Sequence, residues 1–326
     1  MDQRTSLIGS FSVSGASAPS LQACSLQIKD KGTLKGLIVQ IAGTYDQSGG
    51  AESQATEGNP VLFNELRLRL DGNTRRSFKG GVVYELNKMS SQGAGTAQKT
   101  DPATGNNTAK AFSSLLFYDM GLFDIESAHV HDETFLDLTK IVNAWVEFDI
   151  NPFTAYVSGN TQANIAYTVT VSGIFIQGLD RTPQKHAEAQ LITVQDMSAT
   201  LTGKIISANP AGQLWRGFLV RCGTLAATPK VTATTAISKL GCKATLKDGG
   251  PRTLYDKAAP SFYQSFVGAN RAGVQLTAGY LFVDLVNNRK AAGVLIGNNY
   301  ADLSLDVDIT GTSGTTMEVY GLVSQR

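Results

Sequence analysis

A short stretch of this chain, Lys35-Gly36-Leu37-Ile38-Val39-Gln40, returns as Arg216-Gly217-Phe218-Leu219-Val220-Arg221. Each copy is a basic residue, a glycine, three apolar residues and a polar one. Each leads to a second shared signature, Asp71-Gly72-Asn73-Thr74-Arg75 in the first half and Asp248-Gly249-Gly250-Pro251-Arg252 in the second. The glycine offset is 181 and the aspartate offset 177. Offsets that agree to within one change of loop length are what a tandem duplication leaves. With 326 residues the chain also exceeds the ~250–300 at which a single core stops growing, so two domains are expected. Residues 1–20 read as an N-terminal arm, 21–180 as the first domain and 186–326 as the second. Leu179 to Lys185, with Pro183 in its middle, reads as the linker.

Within each half, apolar and polar residues alternate. Leu66, Leu68 and Leu70 oppose Glu65, Arg67 and Arg69 and run into the Asp71-Gly72 turn. Val142, Ala144, Val146, Phe148 and Ile150 alternate with polar partners, as do Ile165, Tyr167, Val169 and Val171, and later Leu303, Leu305, Val307 and Ile309. Two strands are expected in Leu21 to Tyr45, and others at Leu214 to Leu225, Leu240 to Leu246, Tyr280 to Val286 and Met317 to Val323. Gly81 to Leu86 reads as the strand that pairs with Phe63 to Leu70. Asp46 to Pro60 and Ser90 to Thr108 read as exposed loops. Ala109 to Met120 is the best helical candidate, with Phe112, Leu115, Leu116 and Met120 on one stripe and Thr108 placed to cap. Many short alternating strands, 33 glycines and few short helices make the fold class all-β: two tandem eight-stranded jelly rolls.

Chemistry is sparse. A formal net charge of +1 gives no basic surface for specific nucleic-acid binding. Cys24, Cys222 and Cys242 show no CxxC spacing and read as buried thiols, with a Cys222–Cys242 bridge as the lesser alternative. The N-terminus lacks the apolar core of a signal peptide and no stretch has the ~18 apolar residues of a membrane span, so synthesis and folding in the cytosol are expected.

His129-Val130-His131-Asp132-Glu133 is the cluster closest to a metal site. Its two histidines suit one strand face as in a cupin, but Glu133 follows too soon, which favours a polar loop or strand edge. Asp302, Asp306 and Asp308 could meet a hard cation, although alternation with apolar residues favours a solvated strand face. Arg75, Arg76 and Lys79 read as a solvated hairpin end. No nucleophile elbow, phosphate loop or dinucleotide fingerprint occurs. No catalytic, cofactor-binding or metal residues and no cofactor are therefore expected. A bicupin-like or glycan-processing enzyme using His129 and His131 is the alternative, and a glycan-binding protein would need a platform from Trp145 or Trp215.

Lys35 to Val39, then Asn64-Glu65-Leu66, Asp71 to Arg75 and Leu86-Asn87-Lys88-Met89-Ser90-Ser91-Gln92-Gly93-Ala94 resemble the coat protein of tectiviruses. The family is the double jelly-roll major capsid proteins of tailless icosahedral viruses, and the size is similar to that of corticovirus and finnlakevirus members. The resemblance implies a homotrimer forming a pseudo-hexagonal capsomer, with capsomers tiling a virion shell. It also implies neighbouring capsomers, minor vertex proteins and an internal lipid membrane as partners, and outward or intersubunit roles for the two long loops.

Overall fold

The computed structural model describes residues 2–15, 22–50, 52–90, 106–121, 135–177, 187–224, 236–270, 274–286 and 295–325. The chain divides into two compact units, Met1–Met120 with Phe135–Thr182, and Gly121–Thr134 with Pro183–Arg326.

In the first unit the strands of five residues or more are β1 (Asp2–Gly15), β2 (Gln22–Gln27), β3 (Thr33–Ser48), β4 (Phe63–Leu70), β5 (Asn73–Phe78), β6 (Asn107–Asp119), β7 (Ala144–Ile150) and β8 (Thr161–Gln177). They form two antiparallel sheets, ordered β1-β8-β3-β6 and β2-β7-β4-β5. The chain crosses between sheets at almost every connection, which is the jelly-roll path. Leu37, Val39 and Ile41 of β3 and Val169 and Val171 of β8 are buried, as are Leu66, Leu68, Val146 and Phe148 of the other sheet. Phe148 ties the layers together, its ring 5.3 Å from that of Phe11 on β1 and 5.6 Å from that of Phe63.

The second unit has β9 (Ala187–Asp196), β10 (Leu201–Ala208), β11 (Gln213–Thr224), β12 (Ile237–Leu246), β13 (Pro251–Ala258), β14 (Tyr280–Asp284), β15 (Tyr300–Ile309) and β16 (Thr315–Gln325). Its sheets are ordered β9-β16-β11-β14 and β10-β15-β12-β13. Adding eight to every strand label of the first unit reproduces the second. Each unit also places one 11-residue helix after its fifth strand, α1 (Gly80–Ser90) and α2 (Pro260–Asn270). Cys222 and Cys242 lie unbridged in the second core beside Phe218, Val283 and Leu305. Burial pushes both thiols up to about 12, so neither supplies a thiolate at neutral pH.

The repeated glycines occupy equivalent places. Gly36 on β3 pairs with Asp119 on β6, and Gly217 on β11 pairs with Asp284 on β14. The rings of Phe117 and Phe282, each two residues before those aspartates, lie against the glycines. A Cβ on Gly36 would stand 2.8 Å from the Tyr118 carbonyl oxygen and closer to the Phe117 ring; one on Gly217 would stand 2.5 Å from the Val283 carbonyl oxygen. Gly36→Ala and Gly217→Ala are each expected to lose about 1–3 kcal/mol in denaturant unfolding, the usual cost of overpacking. An unchanged midpoint for either would remove this account of the repeat.

Several expectations are corrected. Residues 2–15 are a strand along β8, from Asp2 opposite Gln177 to Gly15 opposite Ile165, rather than a free arm. Ala109 to Met120 is extended, not helical: Phe112, Ser114, Leu116 and Tyr118 are buried while Ser113 and Leu115 are exposed. A spacing of four satisfies both periods, and pairing with β3 decides between them. Gly81 to Leu86 lies in α1, and the partner of β4 is β5, joined through Asp71 and Gly72 at φ 47° and 85°, as a two-residue hairpin requires. The helix turns Asn87 onto the edge of β6, where its amide donates to the Phe117 carbonyl at 2.6 Å and accepts from the Phe117 N–H at 2.8 Å. This covers an otherwise open strand edge. Much of Asp46 to Pro60 is buried: Glu52 accepts from the Tyr45 hydroxyl at 2.8 Å and pairs with Lys110 at 2.5 Å.

Candidate assembly surfaces

Each sheet has one face turned to its unit's core and one turned outward, and the four outward faces differ in chemistry. On β2-β7-β4-β5, Arg67 is the hub of an ionic network. Its guanidinium reaches Asp149 at 2.6 and 3.0 Å, Glu65 at 2.5 Å and Glu147 at 3.3 Å, and Arg69 also reaches Glu147 at 3.3 Å. The hydrogen bonds that Arg67 donates to Asp149 hold it firmly in its charged form.

On β10-β15-β12-β13, Lys257 pairs with Asp306 at 2.7 Å and Asp308 at 2.6 Å, and Lys243 pairs with Asp306 at 2.5 Å. Burial pushes the Asp306 carboxyl up, and hydrogen bonds from Lys243 and Lys257 outweigh it, leaving the group below its ordinary value. Lys257, then the Gly203 N–H, hold Asp308 low as well. Two of the three acidic residues, Asp306 and Asp308, thus face lysines, and Asp306 is buried rather than solvated.

On β9-β16-β11-β14, the outward positions of β16, β11 and β14 are buried and large, while Leu191 and Val194 on the edge strand β9 are exposed. Leu219, Tyr320 and Phe282 form one rank across three strands, and Arg221, Glu318 and Tyr280 the next. Arg221 donates to the Tyr280 hydroxyl at 3.1 Å and pairs with Glu318 at 3.4 Å, and the Tyr320 hydroxyl donates to Glu318 at 2.8 Å.

The outward face of β1-β8-β3-β6 is open. Strand register places its side chains in ranks of four: Ser12, Thr168, Ala42 and Ser113 form one, and Ser10, Thr170, Gln40 and Leu115 the next. The outermost ranks are Ser14, Ala166, Thr44 and Ala111 at one end and Leu7, Ser172, Ile38 and Phe117 at the other. No ionisable side chain stands anywhere in these four ranks. The Ser12 and Thr168 hydroxyls meet at 3.0 Å, and Leu7 is 67% exposed.

The sequence candidates fare differently. His129, His131 and Glu133 lie outside the described residues, as do most of the second expected loop and the linker. Arg76 is buried and donates to the Met120 carbonyl at 2.8 Å, tying β5 to the end of β6 instead of ending a solvated hairpin. The Arg75 side chain lies outside the described set. Trp215 is buried against Phe218 and offers no platform. Among the described residues there is no group of three or more potential metal ligands, and no helix is long and apolar enough to cross a membrane.

No protein-family model and no curated protein matches the sequence. Solved structures do. The STIV major capsid protein is 13% identical with a TM-score of 0.68, covering 100% of this chain and 97% of that one. The structure of the Sulfolobus Turreted Icosahedral Virus contains a chain 14% identical with a TM-score of 0.71, at 100% and 91% coverage. The major capsid protein P2 of bacteriophage PM2 is 10% identical with a TM-score of 0.57, at 98% coverage of both chains. The chain folds as a double jelly roll. At such identities the likeness extends to the path of the backbone, so the surfaces of this double jelly roll have to be read from its own side chains.

Proposed function

We propose that the protein is a major capsid protein, three copies of which form a pseudo-hexameric capsomer that tiles an icosahedral virion shell. The observation that carries this reading is the correspondence of the whole chain, both jelly rolls together, with nearly the whole of capsid proteins such as those of STIV and PM2. The solved structures named above as similar are capsid proteins, and none of them supports the enzyme reading. In the capsid reading residues 21–180 and 186–326 are the two jelly rolls, and β1 joins the first. Neighbouring capsomers, minor vertex proteins and an internal lipid membrane are its partners, and the chain, made in the host cytoplasm, ends in the virion.

The test is the solution mass of the purified chain by light scattering coupled to size exclusion. The expected value is about 104 kDa, three times 34.6 kDa, and a mass of 34.6 kDa at high concentration overturns the proposal.

A further inference from the structure

An exposed sheet face in a soluble protein is ordinarily charged, since roughly 25–35% Lys, Arg, Glu and Asp keeps a surface from associating. This chain follows that rule on the outward faces of β2-β7-β4-β5 and β10-β15-β12-β13, where Arg67, Lys243 and Lys257 meet carboxylates. It breaks the rule on β1-β8-β3-β6, whose four ranks are open yet uncharged. We propose that this face is the surface on which a second copy of the chain docks. The inference rests on the capsid reading and adds to it the place where copies meet.

The internal repeat supplies the first argument. Ile38 and Phe117 correspond to Leu219 and Phe282, through the paired glycines, and Gln40 corresponds to Arg221. In the second unit that face is closed over its inner strands: Leu219 and Phe282 are 0% exposed and Tyr320 3%, although Leu191 on the edge strand β9 is 48% exposed. In the first it is open, with Ile38 and Phe117 half-buried and Gln40 exposed. The same three strands, built twice, have their outer face packed over β16, β11 and β14 and left open over β8, β3 and β6. A second copy is the partner that can supply the missing cover repeatedly, as a closed ring of subunits requires.

Energetics favour the same occupant. Four strands about 4.8 Å apart and four ranks about 6.8 Å apart give roughly 500 Å² of nearly flat area, the larger part of the ~800 Å² each partner gives to a standard interface. Serine, threonine and alanine lose little side-chain freedom when covered, and with no charge in the ranks there is none to desolvate. Leu7, at 67%, and Leu115, at 45%, are apolar anchors within this field. A membrane surface would instead favour basic residues and tryptophan, which the ranks lack.

The test places arginine in the central rank, as Thr168→Arg and Ala42→Arg, with Ser25→Arg on the exposed strand β2 of the other sheet as control. The wild type and the control are expected at three times 34.6 kDa, and both central variants at the monomer mass with wild-type circular dichroism, melting lower by the stability that association contributes. An unpaired buried charge in each contact corresponds to about a 100-fold or greater loss of affinity. Trimers that survive both central substitutions overturn this inference and leave the capsid reading intact, whereas a monomeric wild type overturns both. Hydroxyl-radical footprinting needs no variant: Leu7 and Leu115 are expected to be protected in the assembled wild type and oxidised in the dissociated chain. Equal oxidation in both states overturns the inference.

Discussion

Arg216→Ala is expected to destabilise the second jelly roll by about 3–5 kcal/mol, the cost of stranding one member of a buried ion pair. Arg216 sits at the irregularity between Trp215 and Gly217 in β11, fully buried, and its guanidinium engages Asp284 through both of its terminal nitrogens, one of them at 3.2 Å. The same group lies 5.5 Å from the centre of the Phe282 ring. Asp284 also accepts from the Val286 N–H at 2.9 Å, and its carbonyl accepts from the Tyr255 hydroxyl, so the aspartate anchors the end of β14 as well as the charge. Removing the arginine leaves the buried Asp284 carboxylate without that counter-charge. Arg216→Lys is expected to recover only part of the loss, because an ammonium lacks the planar fork that meets both carboxylate oxygens. The double change Arg216→Met with Asp284→Leu is expected to be milder than Arg216→Ala, since it buries no unpaired charge. Denaturant unfolding of the three variants checks the order, and a loss below 1 kcal/mol for Arg216→Ala removes the pair from the account of stability.

The repeat that marked the duplication proved to have a local cause. In the sequence, Gly36 and Gly217 were landmarks; in the fold each lies under a phenylalanine from the neighbouring strand, Phe117 and Phe282, where a side chain has no room. The Phe-x-Asp partners were legible only after strand pairing was known, because they sit in β6 and β14, far along the chain from the glycines. The same holds for Arg216, which appears in sequence as the basic residue of a motif and in the fold as half of an ion pair with a residue 68 positions away.

Periodicity read the central strands well. β7 carries strict alternation and β8 does so from Ile165 to Gly173, where Ile165, Tyr167, Val169 and Val171 are the buried side chains. It failed where two periods coincide, at Phe112, Leu116 and Met120, and where tertiary contact overrides preference. Val82, Val83 and Tyr84 are residues that favour strands, yet they lie in α1, which brings Asn87 to the open edge of β6. The open face was half visible. Ala166, Thr168, Thr170 and Ser172 stand as the polar partners of Ile165 to Val171, but their lack of charge gains meaning only when β1 is found beside them with Ser10, Ser12 and Ser14. Reading residues 1–20 as an arm hid that strand, because its alternation of serine with Phe11 and Val13 is short and its first half is polar.

Phe148→Ala is expected to cost the first jelly roll about 3–5 kcal/mol, the range for deleting a fully buried ring. Phe148 is 0% exposed, paired through the backbone with Cys24 on one side and Leu66 on the other, and its ring meets Phe11 from the facing sheet and Phe63 from its own. Those two neighbours belong to strands already fixed by hydrogen bonds, Phe11 opposite Val169, so they have little freedom to collapse into the void. The cost therefore contains a cavity term beside the lost transfer energy, at about 24 cal/mol per Å³ of space left open. Phe148→Leu, which refills part of that space, is expected to cost clearly less than the alanine. If the two variants unfold at the same denaturant concentration, the cavity closes and the layers are held together elsewhere. If alanine is the worse by 1 kcal/mol or more, Phe148 is the contact through which β1, the strand that completes the open face, is held against the second sheet.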